Sequence, residues 1–133
     1  MFHLVRNKEL EITMDTSGVD DHIPSIAFDI HVTLNKLYQS ANIISKECWF
    51  SCEAIDTFQN QLYDLHHVTS GKVALIDLSE NSIFEVTKVD STLKILINFQ
   101  DTGGVGGIHL TSSLQPTEAI EIYDCLTKFE KWW

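Results

Sequence analysis

The stretch Thr92–Gln100, TLKILINFQ, decides the fold class of this chain. Leu93, Ile95, Ile97 and Phe99 occupy every second position, and mostly polar residues lie between them. Side chains alternate between the two faces of a strand, so this pattern predicts a β-strand with one face in a core and the other in water. Strands of parallel sheets are usually apolar on both faces, so one wet face favours an antiparallel sheet.

Seven further segments are predicted to be strands from their alternation and apolar content. They are Phe2–Arg6, Glu9–Thr16, Ile26–Leu34, Ala41–Phe50, Lys72–Leu78, Ile83–Val89 and Ile108–Leu114. The alternation is poorer in Ala41–Phe50, which predicts a bulge or burial on both faces. Ser17–Ser25 lacks a period and contains glycine and proline, which is typical of a loop. Asp90-Ser91 is predicted to be a tight turn.

Two segments have a helical period instead. Glu53–His67 has apolar residues three or four positions apart and is predicted to be an amphipathic helix, with Ser51 as its N-cap and Ser70-Gly71 as its stop. A second helix is predicted from Pro116-Thr117 to Trp133. The order of elements is then ββββα-ββββα, which indicates an α+β protein whose sheet is predominantly antiparallel and whose helices pack on a sheet face. The repeated layout leaves open whether the two halves arose by duplication.

The length and the hydropathy pattern indicate a single domain spanning residues 1–133. No apolar run approaches the roughly 20 residues that are needed to span a bilayer. The first ten residues, MFHLVRNKEL, lack the charged region followed by an apolar block that marks a signal peptide. We therefore expect a cytoplasmic protein without a membrane partner. Its three cysteines are expected to be free thiols.

The charge balance narrows the class of partner. Acidic residues outnumber basic ones by 19 to 9, which gives a net charge of -10, and Arg6 is the one arginine. Nucleic-acid binding requires clustered lysine and arginine, so neither DNA nor RNA is an expected partner. A strongly negative field favours fast capture of basic partners. Many bacterial cytosolic proteins are nevertheless acidic without any such role.

One set of side chains has zinc-ligand chemistry. Cys48 and Cys52 precede the first predicted helix, and His66-His67 lies near its end. Four such ligands can in principle form a tetrahedral zinc site. However, neighbouring helix residues point about 100° apart, and histidines at a helix C-terminus are more simply explained as partners of the helix dipole. We expect no metal at these residues.

The loop with Asp20, Asp21 and His22, and Asp15 before it, is a second set with possible hydrolase or metal chemistry. It lacks the spacing of a calcium-binding loop, so a solvated acidic loop is the simpler interpretation of its chemistry. No catalytic residue, metal or cofactor is therefore predicted.

Two other motifs receive structural interpretations. Gly103–Gly107, GGVGG, would need a following helix to be a phosphate-binding loop, but a predicted strand follows it. A hairpin loop is expected instead. Trp132-Trp133 is predicted either to fold onto the sheet with the last helix or to mark a partner or dimer surface.

The order of elements resembles that of the WapI-type immunity proteins of bacterial polymorphic toxin systems. The resemblance is carried by ECWFSCEAIDTFQNQLYDL (residues 47–65), Gly71, SIFEVTKVDSTLKILINF (residues 82–99) and PTEAIEIYDCLTKFEKWW (residues 116–133). It implies a non-enzymatic protein that neutralises a cognate toxin by binding it. The acidity of the chain suits a basic toxin domain as the partner. The resemblance supplies no individual functional residues.

Asp15, Asp20, Asp21 and Asp29 are the predicted partner-binding residues, because they lie on or beside the polar phase of two early strands. Two alternatives stay open from the sequence. One is a small metal-dependent enzyme or metal-binding protein that uses the aspartate and histidine clusters. The other is a structural or regulatory homodimer joined through a sheet edge or through the tryptophan-ended helix.

Overall fold

The computed structural model describes residues 1–101 and 106–133. Within them the chain forms eight strands and two helices in the order ββββα-ββββα. The strands are β1 (Phe2–Arg6), β2 (Leu10–Asp20), β3 (Ser25–Asn35), β4 (Ser40–Ser51), β5 (Gly71–Ile76), β6 (Ser82–Val89), β7 (Thr92–Gln100) and β8 (Gly107–Leu114). The helices are α1 (Cys52–His66) and α2 (Glu118–Lys128). The predicted α+β class and the order of its elements are confirmed.

The strands form two antiparallel sheets of four, each with its strands in sequence order. The first sheet contains β1 to β4, and the second contains β5 to β8. All pairs of neighbouring strands are antiparallel. Successive strands pair because short turns connect them, as at Asp90-Ser91, where both residues have positive φ. That is the backbone of a two-residue hairpin turn, so the predicted tight turn is confirmed.

Strand β7 has the boundaries and the faces that its alternation predicts. Leu93, Ile95, Ile97 and Phe99 are buried, and Lys94 is exposed. The buried side chains of both sheets and both helices form one hydrophobic cluster. The buried face of β7 therefore forms one side of a core to which both sheets and both helices contribute.

Each helix makes most of its sheet contacts with the sheet that it does not follow in the sequence, although α1 also touches β4. Helix α1 follows β4 of the first sheet and contacts β5, the first strand of the second sheet. Helix α2 follows β8 and contacts β1, where the Cys125 thiol donates to the carbonyl oxygen of His3 at 2.9 Å. The two helices also contact each other. We call this arrangement the helix exchange.

The prediction of a loop over Ser17–Ser25 is mostly wrong. Strand β2 continues to Asp20, so the connection to β3 consists of residues 21–24. The register of β2 and β3 shifts between Thr16 and Gly18. This bulge lets the ladder continue beyond a point at which the sequence has lost its alternation.

The predicted bulge in the fourth strand is confirmed. The register of β3 and β4 shifts between Phe28 and Ile30. Glu47 has a φ of 54° there and donates its backbone N–H to Asp29 Oδ1 at 2.9 Å. The side chain of Asp29 thus takes the place of a strand partner at the bulge.

Both helices end earlier than predicted. Helix α1 starts with the predicted N-cap, since Ser51 Oγ accepts the N–H of Ala54 at 3.0 Å. It stops at His66, because His67 donates its N–H to the carbonyl of Asp64 in a tightened last turn. Helix α2 stops at Lys128, since Phe129 has an extended backbone.

The residues after α2 fold back onto the molecule. Phe129 packs against Phe2 and Phe28. Trp133 donates its indole N–H to Asp56 Oδ2 at 3.0 Å, and Trp132 remains partly exposed. Trp133 is therefore held against helix α1, and a partner or dimer surface at Trp132 stays a prediction. Of the predicted GGVGG loop, residues 103–105 lie outside the described residues.

Candidate functional site

Asp15 and Asp29 lie directly opposite each other on β2 and β3. Their neighbours Met14 and Ile30 are buried, so both carboxylates are on the face of the first sheet that points away from the core. Like charges that are directly opposite on neighbouring strands destabilise a sheet. The amino group of Met1 lies 3.6 Å from Asp15 Oδ1 and offsets part of this repulsion. We call this side of the sheet the outer face.

Asp20 and Asp21 lie at the end of the same hairpin. Asp20 pairs with Ser25, which is four residues before Asp29 on β3 and therefore on the same face. Asp20 Oδ1 accepts the N–H of His22 at 3.0 Å, so this carboxylate also shapes the turn. Asp21 is exposed in the turn. Four strand residues span about 13 Å, so Asp15, Asp29 and Asp20 form an acidic row along the outer face, and Asp21 lies in the turn at its end.

Trp49 lies between the two ends of this row. It pairs with Ala27 on β3, and Ala27 pairs with Gly18 on β2. A Cβ added at Gly18 would lie 3.2 Å from Cη2 of the Trp49 ring, so the indole lies across the outer face and Gly18 provides the room for it. Ala27 is buried even though it faces outward, because this ring covers it.

Trp49 is the residue of this site that the sequence interpretation missed. The available signal was Gly18, because a glycine inside a strand often marks the close approach of another group. The partner of that glycine is 31 positions away along the chain, so its identity depends on the pairing of three strands. A half-buried tryptophan bordered by carboxylates has the form of a binding anchor with a charged rim.

Asp29, like Asp20, accepts a backbone N–H, but it does so at the bulge beside Trp49. Its Oδ1 atom accepts the Glu47 N–H at the bulge. This hydrogen bond fixes the path of β4 just before Trp49. Asp29 therefore contributes both negative charge and the position of the aromatic ring.

A cleft of about 490 Å³ opens next to Trp49, between β4, the β5–β6 loop and the end of β7. Cys48 lines it, and its Sγ lies 3.2 Å from Ser45 Oγ. Burial raises the pKa of the Cys48 thiol, and the charges of Asp77 and Asp29 raise it further against the opposing hydrogen bond with Ser45. The thiol is thus protonated at neutral pH, whereas a cysteine nucleophile needs the thiolate.

The structure separates the residues of the zinc hypothesis. Cys52 begins α1 and His66 ends it, so a rise of about 21 Å along the helix separates the two residues. His67 Nδ1 lies 2.8 Å from the carbonyl oxygen of Tyr63. Across residues 1–101 and 106–133, no three side chains of histidine, cysteine, aspartate or glutamate are grouped as metal ligands.

Comparisons with protein-family models, with curated proteins and with solved structures give no match. The resemblance to immunity proteins therefore rests on the quoted sequence segments. In the described part of the chain, no helix is long and apolar enough to cross a membrane.

Proposed function

We propose that this chain is a non-enzymatic binding protein that captures a basic protein partner through the outer face of its first sheet. In its most concrete form, it is a cytoplasmic immunity protein that neutralises a cognate toxin by covering it. The observation that carries the proposal is the acidic row around Trp49. It combines an aromatic anchor with carboxylates, two of which lie directly opposite each other on β2 and β3.

The electrostatic argument concerns the rate of association. Complementary charge raises association rates and rejects wrong partners more than it adds affinity. With a net charge of -10, the chain attracts a basic protein over the distance set by the Debye length, which is about 10 Å at 0.1 M salt. Trp49 would then supply the short-range contact that holds the complex together.

The test begins with the recovery of the partner by co-purification from the native host. Association kinetics are then measured across a salt series for the parent and for the double variant Asp20→Asn, Asp21→Asn. The matched control is Glu53→Gln with Asp64→Asn, which removes the same charge from exposed positions of α1. We expect the first pair to slow association severalfold at low salt and the control pair to have a much smaller effect.

Trp49→Ala tests the anchor separately, and we expect it to raise the dissociation rate more than it changes the association rate. An association rate that does not depend on salt would refute the proposal. So would equal rates for the parent and the Asp20, Asp21 variant. A gene position directly after a large toxin gene would support the immunity form of the proposal.

A further inference from the structure

Among the described residues, the helix exchange places one edge strand of each sheet mainly against a helix and leaves most of the opposite edge strand without a backbone partner. Helix α2 contacts the edge strand β1, and α1 contacts the edge strand β5. The opposite edges are β4 and β8. Near the end of β4, the carbonyl oxygen of Trp49 accepts the N–H of Leu78 from the β5–β6 loop at 2.9 Å, so the open part of this edge lies before Trp49. An open edge exposes backbone N–H and C=O groups that can pair with a further strand.

The two open edges lie beside each other. Lys36, in the turn before β4, donates its ammonium group to the carbonyl oxygen of Thr111 on β8 at 3.2 Å. Ile43 and Ile44 of β4 line a groove of about 230 Å³ together with Gly107 and Ile108 of β8. We call this the edge groove.

Large apolar side chains are exposed along the edge groove and at its turn. Ile44 is 59% exposed and Ile108 is 44% exposed. In the β3–β4 turn, Leu37 is 86% exposed and Tyr38 is 92% exposed. Apolar residues grouped beside open strand edges are characteristic of a surface for another chain.

The cleft beside Trp49 continues the edge groove, because Ser45, Gln100 and Asp101 line both. Its charged lining residues are Glu47, Asp77, Asp101 and Lys46. Three carboxylates against one ammonium group leave the cleft negative. Ile83 and Phe99 add apolar surface at the same place. An apolar wall with a negative rim fits the stem and the charged head of a lysine or arginine side chain.

We propose that the edge groove binds an extended basic segment of the protein partner, with one lysine or arginine side chain of that segment in the cleft. This inference rests on the proposed function and adds the location and the backbone form of the contact. An extended segment fits because its main chain can pair with β4 or β8. A basic segment fits the charge of the cleft, whereas a second copy of this chain would bring a further net charge of -10.

The probe is a synthetic eight-residue peptide of alternating threonine and arginine, acetylated and amidated, and the matched control peptide has glutamate in place of arginine. Backbone amide shifts of the full chain are followed by NMR during titration. We expect the arginine peptide to shift amides of residues 43–49, 77–81, 100–101 and 107–108. The glutamate peptide should shift none of them.

Two variants sharpen the test. Ile44→Lys places a charge on the apolar edge and should weaken arginine-peptide binding at least tenfold. Glu47→Gln removes one carboxylate of the cleft at an exposed position and should weaken binding about threefold. Val89→Lys is the matched control for the first variant, because Val89 is an exposed apolar residue next to the β6–β7 turn, and it should leave binding unchanged.

The outcomes separate this inference from the proposed function. Shifts confined to the outer face around Asp15 and Asp20 would overturn the edge groove as the site and leave the proposed function standing. The absence of peptide binding, for a chain that does bind its recovered partner, would also overturn the inference. Self-association that broadens the edge-groove signals without peptide would assign the groove to a second copy of the chain.

Discussion

The ammonium group of Lys88 lies 3.2 Å from the carbonyl oxygen of Leu65 at the end of helix α1. It also donates to the carbonyl oxygen of His66 at 3.1 Å. Lys88 is on the core-facing side of β6 and is 6% exposed. The last carbonyls of a helix lack partners within the helix, so a lysine from the second sheet supplies donors for them.

Lys88→Met keeps most of the apolar stem and removes these donors. We expect the free energy of unfolding to fall by about 1–3 kcal/mol, because the carbonyl of His66 loses this donor and the carbonyl of Leu65 keeps the backbone N–H of Val68 at 3.3 Å but not the ammonium group. Denaturant unfolding followed by circular dichroism measures the change. Lys94→Met on the exposed face of β7 is the control and should change stability by less than about 0.5 kcal/mol. Equal losses at both positions would contradict this role of Lys88.

Ile97→Ala tests the register of β7. Ile97 is buried among side chains of the shared core, so its truncation should cost ~2–5 kcal/mol. Lys94→Ala, in the opposite phase, should change stability by less than about 0.5 kcal/mol. Chemical denaturation of the two variants gives the comparison, and similar losses would show that the strand does not have one buried face.

Ser112→Ala is expected to stabilise the protein. Within the described residues, the hydroxyl oxygen of Ser112 is buried without a hydrogen-bond partner. A buried polar group without a partner is unfavourable, so its removal should raise the free energy of unfolding by about 1 kcal/mol. Ser113→Ala, on the exposed side of the same strand, should have little effect. A loss of stability for Ser112→Ala would mean that the hydroxyl is bonded in solution.

Two substitutions of Asp29 should change the thermal stability of the protein differently. Asp29→Asn can still accept the Glu47 N–H and removes the repulsion from Asp15, so the melting temperature should be unchanged or higher. Asp29→Ala removes the acceptor and should cost about 1 kcal/mol. Thermal unfolding distinguishes the two variants, and identical melting temperatures would show that the bulge does not depend on this side chain.

The raised pKa values of the three cysteine thiols predict how the stability of the protein changes at alkaline pH. Burial raises the pKa of the thiols of Cys48, Cys52 and Cys125 above the ordinary value of 9.0. The folded thiols keep their protons at a pH at which the unfolded thiols lose them, so folding binds protons in that range. The contribution of these groups to stability is complete below about pH 9 and is lost as pH rises through the folded pKa values.

Two measurements check this behaviour. The free energy of unfolding should fall more steeply above pH 9 in the parent than in a variant with alanine at all three positions. Native thiols should react with iodoacetamide at pH 7 more slowly than the thiols of the denatured chain. Rapid alkylation of the native protein at neutral pH would contradict the protonated, buried state.

Local patterns in the sequence predict the strands well, and β7 shows why. One face of β7 is buried, and the resulting alternation of apolar and polar residues is visible within that single segment of sequence. The end of β2 was mispredicted because its pairing partner sustains the ladder where the alternation fails. Helix ends were overextended, since hydrophobic periodicity continues through Phe129 although the backbone there is extended.

The candidate site was predicted less completely than the fold. The acidic residues of β2 and β3 could be placed on a polar phase, and the structure brings Asp15 and Asp29 together. Trp49 and the two open edges could not be predicted, because they depend on which strands become neighbours. The alternation of β6 places Lys88 on the core-facing side of the strand. The carbonyl groups that Lys88 contacts belong to the end of α1, so this contact also could not be predicted.

The helix exchange has a consequence for the way the chain folds during synthesis. The strand β1 emerges first, but the helix that covers it is made last. Until α2 has been synthesised, the first four strands therefore have no helix against β1. Likewise, α1 lacks its contact with β5 until that strand has been made. Neither half should persist as a folded fragment. Residues 1–70 and 71–133, expressed as separate chains, should recover native structure when they are mixed, each supplying the helix that the other lacks.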